Sequence, residues 1–369
     1  MDPMKNSFSA ENARRIAVQL QRAYPEFPIA AFCDDLENAL EPLELKQRMH
    51  LLADRIEANL PSHPPRLFTL LVATLAKDET DSESLRGFAV WPLTEIVARR
   101  GLDFFDEAMS ALRAMTRCFT AEFAIRPFLR HQPQRTLQQL KTWCHDPDEN
   151  VRRLVSEGSR PLLPWGERLP QIMADPSLTL PLLELLHRDD SAFVRLSVSN
   201  HLNDFSKVHP ELVIDTLVKW RSAKPTDAHF DKLARHACRT LIKQGHPQAL
   251  AYQGFGAAES LEIETPPVIT PTVKLGGHLE YRLTIRNTSR QPLRVLFDYA
   301  IWHRKANGSL TAKVFKGRVK ELAAGESWNI QGRHPLKPIT TRVYYSGVHG
   351  FEPRLNGKTF PMHDFILEI

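Results

Sequence analysis

Apolar positions recur at three- and four-residue spacing through roughly the first 250 residues and at two-residue spacing afterwards. Ile16 and Leu20 would share one face of a helix, whereas Leu279, Tyr281 and Leu283 alternate with polar residues as in a half-buried strand. This change of period predicts a multidomain chain in which an all-α region precedes a smaller all-β region. We expect the boundary between residues 257 and 258.

The β region, residues 258–369, carries Asn-Gly pairs at 307–308 and 356–357, which are typical of hairpin turns. We expect seven or eight short strands there. No cysteine lies beyond Cys238, so the pattern favours an immunoglobulin-like β-sandwich without the paired cysteines of antibody domains.

The α region, residues 1–257, contains two copies of one helical unit, Asp148–Glu157 and Ser191–Asn200, and a weaker third copy, Asp231–Thr240. The first two open with a helix-capping residue, Asp or Ser, and the third copy aligns Asp231 with those caps inside a helix that we expect over Ala228–Gln244. The copies align three arginines at separations of 43 and 40 residues: Arg152, Arg195 and Arg235. A period near 40 residues is typical of HEAT-like helix pairs, which stack into a solenoid with one concave surface. We expect the arginine column to line that surface.

Charge is distributed unevenly. Residues 258–369 hold 16 Lys and Arg against 10 Asp and Glu, while residues 1–257 hold 32 against 33. A basic module makes a nucleic-acid partner plausible. No apolar run approaches the ~18 residues of a membrane span, and the N-terminal residues lack a secretory signal, so we expect a cytoplasmic protein.

Several kinds of site are excluded by their missing motifs. The four cysteines are scattered, which argues against a structural zinc and a disulfide framework. The Gly254–Gly256 stretch lacks the preceding strand and third glycine of a dinucleotide loop, and Walker, His-Glu-x-x-His and Gly-x-Ser-x-Gly motifs are absent from the sequence. We therefore expect no cofactor and no metal.

Three residues admit two interpretations each. Glu122 is either a first-turn residue of a helix that begins near Thr120, stabilised by the helix dipole, or a functional carboxylate. Pro164 biases its neighbour away from helical geometry, so Trp165 lies on a loop, either as a cover for the core or as an aromatic face for a ligand. His201 is either a structural histidine or a ligand contact.

Two segments, Phe119–Phe128 and Ser199–Asp204, together with the Pro164–Gly166 loop and the terminal β-sandwich, make the chain resemble the bacterial DNA alkylation repair glycosylases of the AlkC type. The resemblance implies hydrolysis of the N-glycosidic bond of cationic bases such as 3-methyladenine in duplex DNA, for base excision repair. It also implies catalysis without deep base flipping. We expect a monomer.

By the same resemblance, Glu122 and Glu157 would stabilise oxocarbenium character on the sugar and place a water. Trp165 would pack its face against the deoxyribose. The residues expected to contact DNA are Arg152, Arg153, Arg160, Arg195, Asn200, His201, Arg235, Arg239, Lys243, Arg304 and Arg354.

Two other functions remain open from the sequence: a non-catalytic helical-repeat scaffold and a nucleic-acid binder without chemistry. The arginine column and the loop residue Trp165 argue against the scaffold. The two acidic residues, Glu122 and Glu157, argue against a simple binder, because they would repel phosphates.

Overall fold

The computed structural model describes residues 4–78, 80–223, 226–340 and 342–369. The chain divides into two compact units. The first unit comprises residues 1–208 and 227–236, and the second comprises residues 209–226 and 237–369. The second unit therefore contains helices as well as strands.

The α-helices of the described residues all precede the strands in the chain. They are α1 (Ala10–Ala23), α2 (Ile29–Cys33), α3 (Leu36–Leu40), α4 (Leu45–Ala58), α5 (Pro64–Ala73), α6 (Trp91–Arg100), α7 (Phe105–Thr116), α8 (Arg126–His131), α9 (Pro133–Trp143), α10 (Glu149–Gly158), α11 (Pro170–Ala174), α12 (Leu180–Leu186), α13 (Ala192–Phe205), α14 (Pro210–Ser222), α15 (Ala228–Ala237), α16 (Arg239–Gln244) and α17 (Pro247–Tyr252). Within the described ranges, each of them is too short or too polar to cross a membrane.

The two predicted helix starts at Asp148 and Ser191 are confirmed. The Asp148 carboxylate accepts from the backbone N–H of Asn150 over 2.8 Å, and the Ser191 hydroxyl accepts from the N–H of Phe193 over 3.2 Å. Each side chain thereby satisfies one of the unpaired N–H groups of a first turn. Helices α10 and α13, which follow these caps, pack against each other.

The third helix begins at Ala228, as predicted, but the expected Ala228–Gln244 helix is divided into α15 and α16 at Cys238. Helix α15 begins at Ala228, and Asp227 receives the backbone N–H groups of His229 and Phe230 over 3.0 and 3.1 Å. Asp231 lies in the first turn, where a carboxylate is also favoured by the helix dipole. The alignment of the third copy on Asp231 is therefore offset by four residues from the actual cap, Asp227.

The strands form two sheets. They are β1 (Leu261–Ile269), β2 (Thr272–Lys274), β3 (His278–Asn287), β4 (Leu293–Arg304), β5 (Leu310–Leu322), β6 (Ser327–Pro335), β7 (Gly347–Leu355), β8 (Lys358–Thr359) and β9 (His363–Glu368). One sheet has the order β1-β3-β6, and the other has the order β2-β9-β7-β4-β5, with β8 paired to β7. All neighbours are antiparallel except β2 and β9.

Alternating apolar residues of both sheets fill one core. Tyr281 and Leu283 on β3 and Phe297 on β4 are among its members, as the two-residue period predicted. Asn356 and Gly357 both have positive φ, 44° and 85°, which suits the tight turn between β7 and β8. These turns and periods explain why this part of the chain folds as a sandwich.

The helices of the second unit pack against its strands. The Asn356 side-chain amide donates to the carbonyl of Gly256 over 2.8 Å. A Cβ on Gly245 would stand 2.7 Å from the Cα of Gly357, so only glycine permits this approach. The predicted boundary after residue 257 remains a prediction, and the change from helix to strand lies between Tyr252 and Leu261.

Candidate active site

Glu122 and Glu157 are linked by one arginine. Arg153 and Glu157 lie one turn apart on α10, and Glu122 lies in the turn before α8. Nη1 of Arg153 donates to Oε2 of Glu122 over 2.6 Å, and its Nη2 lies 3.8 Å from Oε1 of Glu157. We call Glu122, Arg153 and Glu157 the carboxylate cluster. Its side chains are mostly buried, so the charges interact more strongly than they would in open water.

Glu122 is not a first-turn residue, so the structural interpretation of this position is wrong. Residues 121–125 form turns, and the helix starts only at Arg126, with Pro127 in its first turn. Thr120 accepts the backbone N–H of Glu122 over 3.3 Å and donates its hydroxyl to the Glu122 carboxylate over 2.9 Å. The carboxylate is therefore held by side chains rather than by a helix end.

A buried network of hydrogen bonds, formed by Arg160, Ser197 and Asp204, holds the Glu157 carboxylate. Arg160 Nη1 donates to Oε1 of Glu157 over 2.6 Å, and the Ser197 hydroxyl donates to Oε2 over 2.7 Å. Arg160 also binds both oxygens of Asp204, over 3.0 and 3.3 Å. Burial alone would lower the pKa of Arg160, but its bonds to Asp204 outweigh this and the pKa is raised. Arg160 therefore stays charged and locks the Glu157 rotamer.

An exposed aromatic ring lies beside the cluster. Phe193, in the first turn of α13, is 44% exposed, and the Arg153 guanidinium lies 4.8 Å from its ring centroid. A cavity of about 270 Å³ opens there, with Thr120 and Asn150 also in its wall.

Trp165 lies, as predicted, on the loop that follows α10, and its side chain is 55% exposed. We call the segment from Gly158, the last residue of α10, to Glu167 the 158–167 loop. Its φ of +64° lies in the left-handed region, which is rare for a bulky residue and found mostly where surrounding structure enforces it. A second cavity of about 300 Å³ adjoins it, walled by the stacked rings of Trp91 and Phe123 and by Lys46. Lys46 also donates to the Trp165 carbonyl.

The residues of this site lie within a part of the chain that is similar to known proteins. A family model described as the DNA alkylation repair enzyme matches residues 47–244. The chain is 34% identical over 366 residues to uncharacterized protein YhaZ of Bacillus subtilis (strain 168), with 99% of both chains covered. The chain belongs to the DNA alkylation repair enzyme family.

Two further similarities extend over the rest of this DNA alkylation repair enzyme. A model described as the C-terminal Ig-like domain of uncharacterised protein YhaZ matches residues 262–369. A solved structure, Pseudomonas fluorescens alkylpurine DNA glycosylase AlkC bound to DNA containing an abasic site analog, is 36% identical, with all of both chains covered and a TM-score of 0.91. At that identity and coverage the similarity concerns the whole chain, including the Ig-like domain.

The arginine column of this family member has structural partners. Arg152 binds both oxygens of Asp189 over 2.6 and 2.9 Å and donates to the carbonyls of Asp146 and Pro147. Arg195 repeats the backbone part of this pattern one copy later, with Asp189 and Asp190, and reaches the His229 ring over 3.3 Å. These contacts join successive helical copies, so the repeated arginine serves packing.

Arg235 is not equivalent to the other two arginines. Arg152 and Arg195 lie four residues after their caps, whereas Arg235 lies eight residues after Asp227. The difference arises because the repeat alignment placed Asp231, rather than the cap Asp227, opposite Asp148 and Ser191. Arg235 is exposed, which leaves its guanidinium accessible.

Two predicted DNA contacts are corrected by their burial. His201 is fully buried, donates from Nδ1 to the Ser156 carbonyl over 3.0 Å, and has a pKa lowered to about 4 by desolvation. Arg160 is 6% exposed and occupied by two carboxylates. Neither side chain presents donors at the surface. Asn200 is half-buried and bonded to His236 over 2.9 Å.

The remaining predicted contacts belong to the second unit. Lys243 is exposed, and Arg239 and Arg304 are half-buried. Arg354 donates to Oε1 of Glu352 over 2.8 Å, so part of its hydrogen-bonding capacity is used within the sandwich. Their contact with DNA stays a prediction.

Sequence reasoning missed three residues that build the site. Ser197 and Arg126 gave no signal, because a serine within a helix and an arginine at a helix start are ordinary surface residues. Phe193 did give one. A large apolar residue two positions after a cap, in an exposed first turn, is out of place on a solvated helix.

Proposed function

We propose that this chain is a monofunctional DNA glycosylase that releases small cationic alkylated bases, of the 3-methyladenine kind, from duplex DNA and so begins base excision repair. The observation that carries the proposal is the carboxylate cluster, Glu122, Arg153 and Glu157, in a chain similar over its whole length to an alkylpurine DNA glycosylase. No cofactor is needed for this reaction, because the alkylated base already carries a positive charge.

The chemistry is a hydrolysis at C1′ of the sugar. The C1′–N bond breaks, its electrons leave with the base, and the base becomes neutral while positive charge moves to the sugar. A water then adds to C1′ and gives up a proton, which leaves an abasic site. Carboxylates next to the sugar stabilise the cationic transition state and can accept that proton.

The hydrogen bonds suggest different tasks for the two carboxylates. Both oxygens of Glu157 are occupied, by Arg160 and Ser197, so we assign it to fixed electrostatic stabilisation. Among the described residues, Oε1 of Glu122 accepts no hydrogen bond, so we assign Glu122 to the water. A free lone pair is what a water-binding general base needs.

Trp165 supplies an aromatic face in this proposal. An electron-rich ring attracts a neighbouring cation by about 0.5–2 kcal/mol, and this sugar is cationic only in the transition state. The exposure of the ring supports a role in contact with DNA rather than with the core.

We also propose that the helical region is a solenoid of HEAT-like repeats over residues 1–257, followed by an immunoglobulin-like, DNA-contacting domain over residues 258–369. The repeated link between an arginine and an aspartate in the next copy supports this: Arg113 binds Asp146 over 2.6 Å as Arg152 binds Asp189. A cytoplasmic location and a monomeric state belong to the same proposal.

The DNA contacts are proposed at the exposed cations. Arg235 and Lys243 are accessible in their respective units, and phosphates are recognised chiefly by such charges. Arg152, Arg160 and His201 are reassigned to the scaffold.

The test is incubation with duplex DNA treated with a methylating agent, followed by chromatography of the released material. We expect free 3-methyladenine ahead of other methylated bases and an abasic site in the DNA. Glu107→Gln, a change of an exposed carboxylate on α7, should act like the unchanged protein. DNA binding without release of any base would instead indicate a binder without chemistry.

A further inference from the structure

We propose that Arg126 is a positioning residue that fixes Glu157 and Trp165 relative to one another. The inference rests on the proposed function, since it concerns how the proposed catalytic groups are held. Arg126 begins α8, four residues after Glu122, and its side chain lies among the backbone carbonyls of the 158–167 loop.

Its guanidinium donates hydrogen bonds to backbone carbonyls at the end of α10 and on both sides of Trp165. Nη1 donates to the carbonyls of Gly158 and Arg160 over 2.8 and 2.9 Å. Nε donates to the carbonyl of Glu167 over 2.7 Å, and Nη2 donates to the same oxygen. Gly158 follows Glu157 directly, and Glu167 lies two residues after Trp165. One side chain therefore connects the end of α10 with the tryptophan loop.

The arrangement is energetically unusual. Arg126 is 1% exposed, and its hydrogen-bond partners in the described chain are neutral carbonyls rather than carboxylates. Burial lowers its pKa to about 10, which still leaves the group charged at neutral pH. A buried charge without a paired counter-ion is costly, and such groups are commonly retained for function.

The loop needs an external restraint because of its backbone. Trp165 has a φ of +64°, a conformation that persists only where the surroundings enforce it. Gly166 packs directly on the restraint: a Cβ at this position would lie 3.3 Å from Nε of Arg126 and 2.9 Å from the Leu163 side chain. We call the Arg126 guanidinium and its three carbonyl partners the clamp. It lies against Gly166, the residue that follows Trp165.

The first experiment compares Arg126→Gln and Arg126→Lys with Arg130→Gln. Arg130 binds the same residue, Glu167, but through an exposed ion pair of 2.9 Å, so it is a matched control. We expect Arg126→Gln to lower the single-turnover rate of base release about 10²-fold, as misplacement by about 1 Å does, with affinity for undamaged duplex within twofold. Lys cannot span three carbonyls, so Arg126→Lys should lose at least tenfold. Arg130→Gln should lose less than twofold.

A double-mutant cycle separates positioning from general loss of structure. If Arg126 acts through the loop, Arg126→Gln should cost much less in a Trp165→Ala background than in the unchanged protein. Multiplicative losses, or an unchanged rate with a lowered melting temperature, would overturn the proposal. If Arg126→Gln does not fold, the same cycle with Arg126→Lys decides.

A readout independent of activity distinguishes failure of this inference from failure of the proposed function. The fluorescence of Trp165 is obtained as the difference between each protein and its Trp165→Phe counterpart. We expect acrylamide quenching of this signal to rise at least twofold in Arg126→Gln or Arg126→Lys and to stay unchanged in Arg130→Gln. Unchanged quenching in the Arg126 variants would refute the clamp even if the protein releases bases. Increased quenching in a protein that releases no base would support the clamp and reject only the proposed function.

Discussion

Arg152 and Arg153 are neighbours on α10, yet they face different parts of the molecule. Arg152 binds Asp189 and two carbonyls, and so joins one helical copy to the next. Arg153 binds Glu122, lies near Glu157, and packs over the Phe193 ring. Successive helical residues point about 100° apart, so one position maintains the scaffold while the next completes the site. A repeated residue therefore indicates architecture, and its unrepeated neighbour indicates function.

The largest expected effect concerns Glu122, whose free oxygen we assign to the water. Glu122→Gln should lower the single-turnover rate by about 10²–10³, in line with loss of one preorganised electrostatic group. Combined with Glu157→Gln, the losses should be less than additive in free energy, because both carboxylates serve one site. Quench-flow or manual time courses under excess protein measure this. Fully additive losses in free energy would show that Glu122 and Glu157 do not serve one site.

The next effect contrasts the two arginines directly. Arg153→Gln should lower the rate of base release about tenfold or more, since it disturbs both carboxylates. Its cost in unfolding free energy should be smaller than that of Arg152→Gln, because Thr120 still bonds to Glu122 and Arg160 still bonds to Glu157. Arg152→Gln should do the reverse. It should lower the free energy of unfolding by about 2 kcal/mol, because Asp189 is left buried without its partner, while activity per folded molecule stays intact. If the two variants lost the same activity and the same stability, the two arginines would not have different roles.

A smaller effect is expected on the free energy of unfolding at acid pH. Burial lowers the pKa of His201 to about 4, so between pH 4 and about 6.5 the unfolded chain binds more protons than the folded one. The stability contribution of neutral His201 is complete above about pH 6.5 and is lost as the pH falls toward 4. His201→Gln should reduce the loss of unfolding free energy between pH 6 and 5 by about 1 kcal/mol, measured by urea unfolding. The exposed His131→Gln should leave that loss unchanged.

The smallest effect concerns DNA affinity. If three to five phosphates are neutralised, the logarithm of the affinity for duplex DNA should fall with the logarithm of salt at a slope of roughly −3 to −4.5. Arg235→Ala should flatten that slope by about one unit, whereas Arg152→Ala should not alter it, since its guanidinium is already occupied. A fluorescence-anisotropy titration series at several salt concentrations decides this. A flattened slope for Arg152→Ala would return that residue to the DNA-binding surface.

Much of the fold was predictable because its causes are local. The caps at Asp148 and Ser191 and the alternation along β3 depend on residues close in sequence. The third copy shows the limit of such signals, because the repeat spacing aligned Asp231 with the caps, whereas Asp227 caps the helix that begins at Ala228. The position of Arg235 was misjudged for the same reason.

The site was less predictable, because its decisive contacts are distant in sequence. Glu122 and Arg153 are 31 residues apart, and Arg160 and Asp204 are 44 apart. Nothing local indicates that Arg126 is buried or that Arg160 faces inward. The identity of Glu122, Glu157 and Trp165 as candidates came from resemblance, and the hydrogen bonds then assigned each a physical setting.

The most direct test of the account is the single-turnover release of 3-methyladenine from methylated duplex by the protein and by Glu157→Gln, both at saturating protein. We expect a rate about 10²–10³ lower for the variant, with affinity for the duplex equal or higher because a negative charge has been removed. Unchanged release by Glu157→Gln, with a lowered melting temperature, would contradict it and place the active site elsewhere.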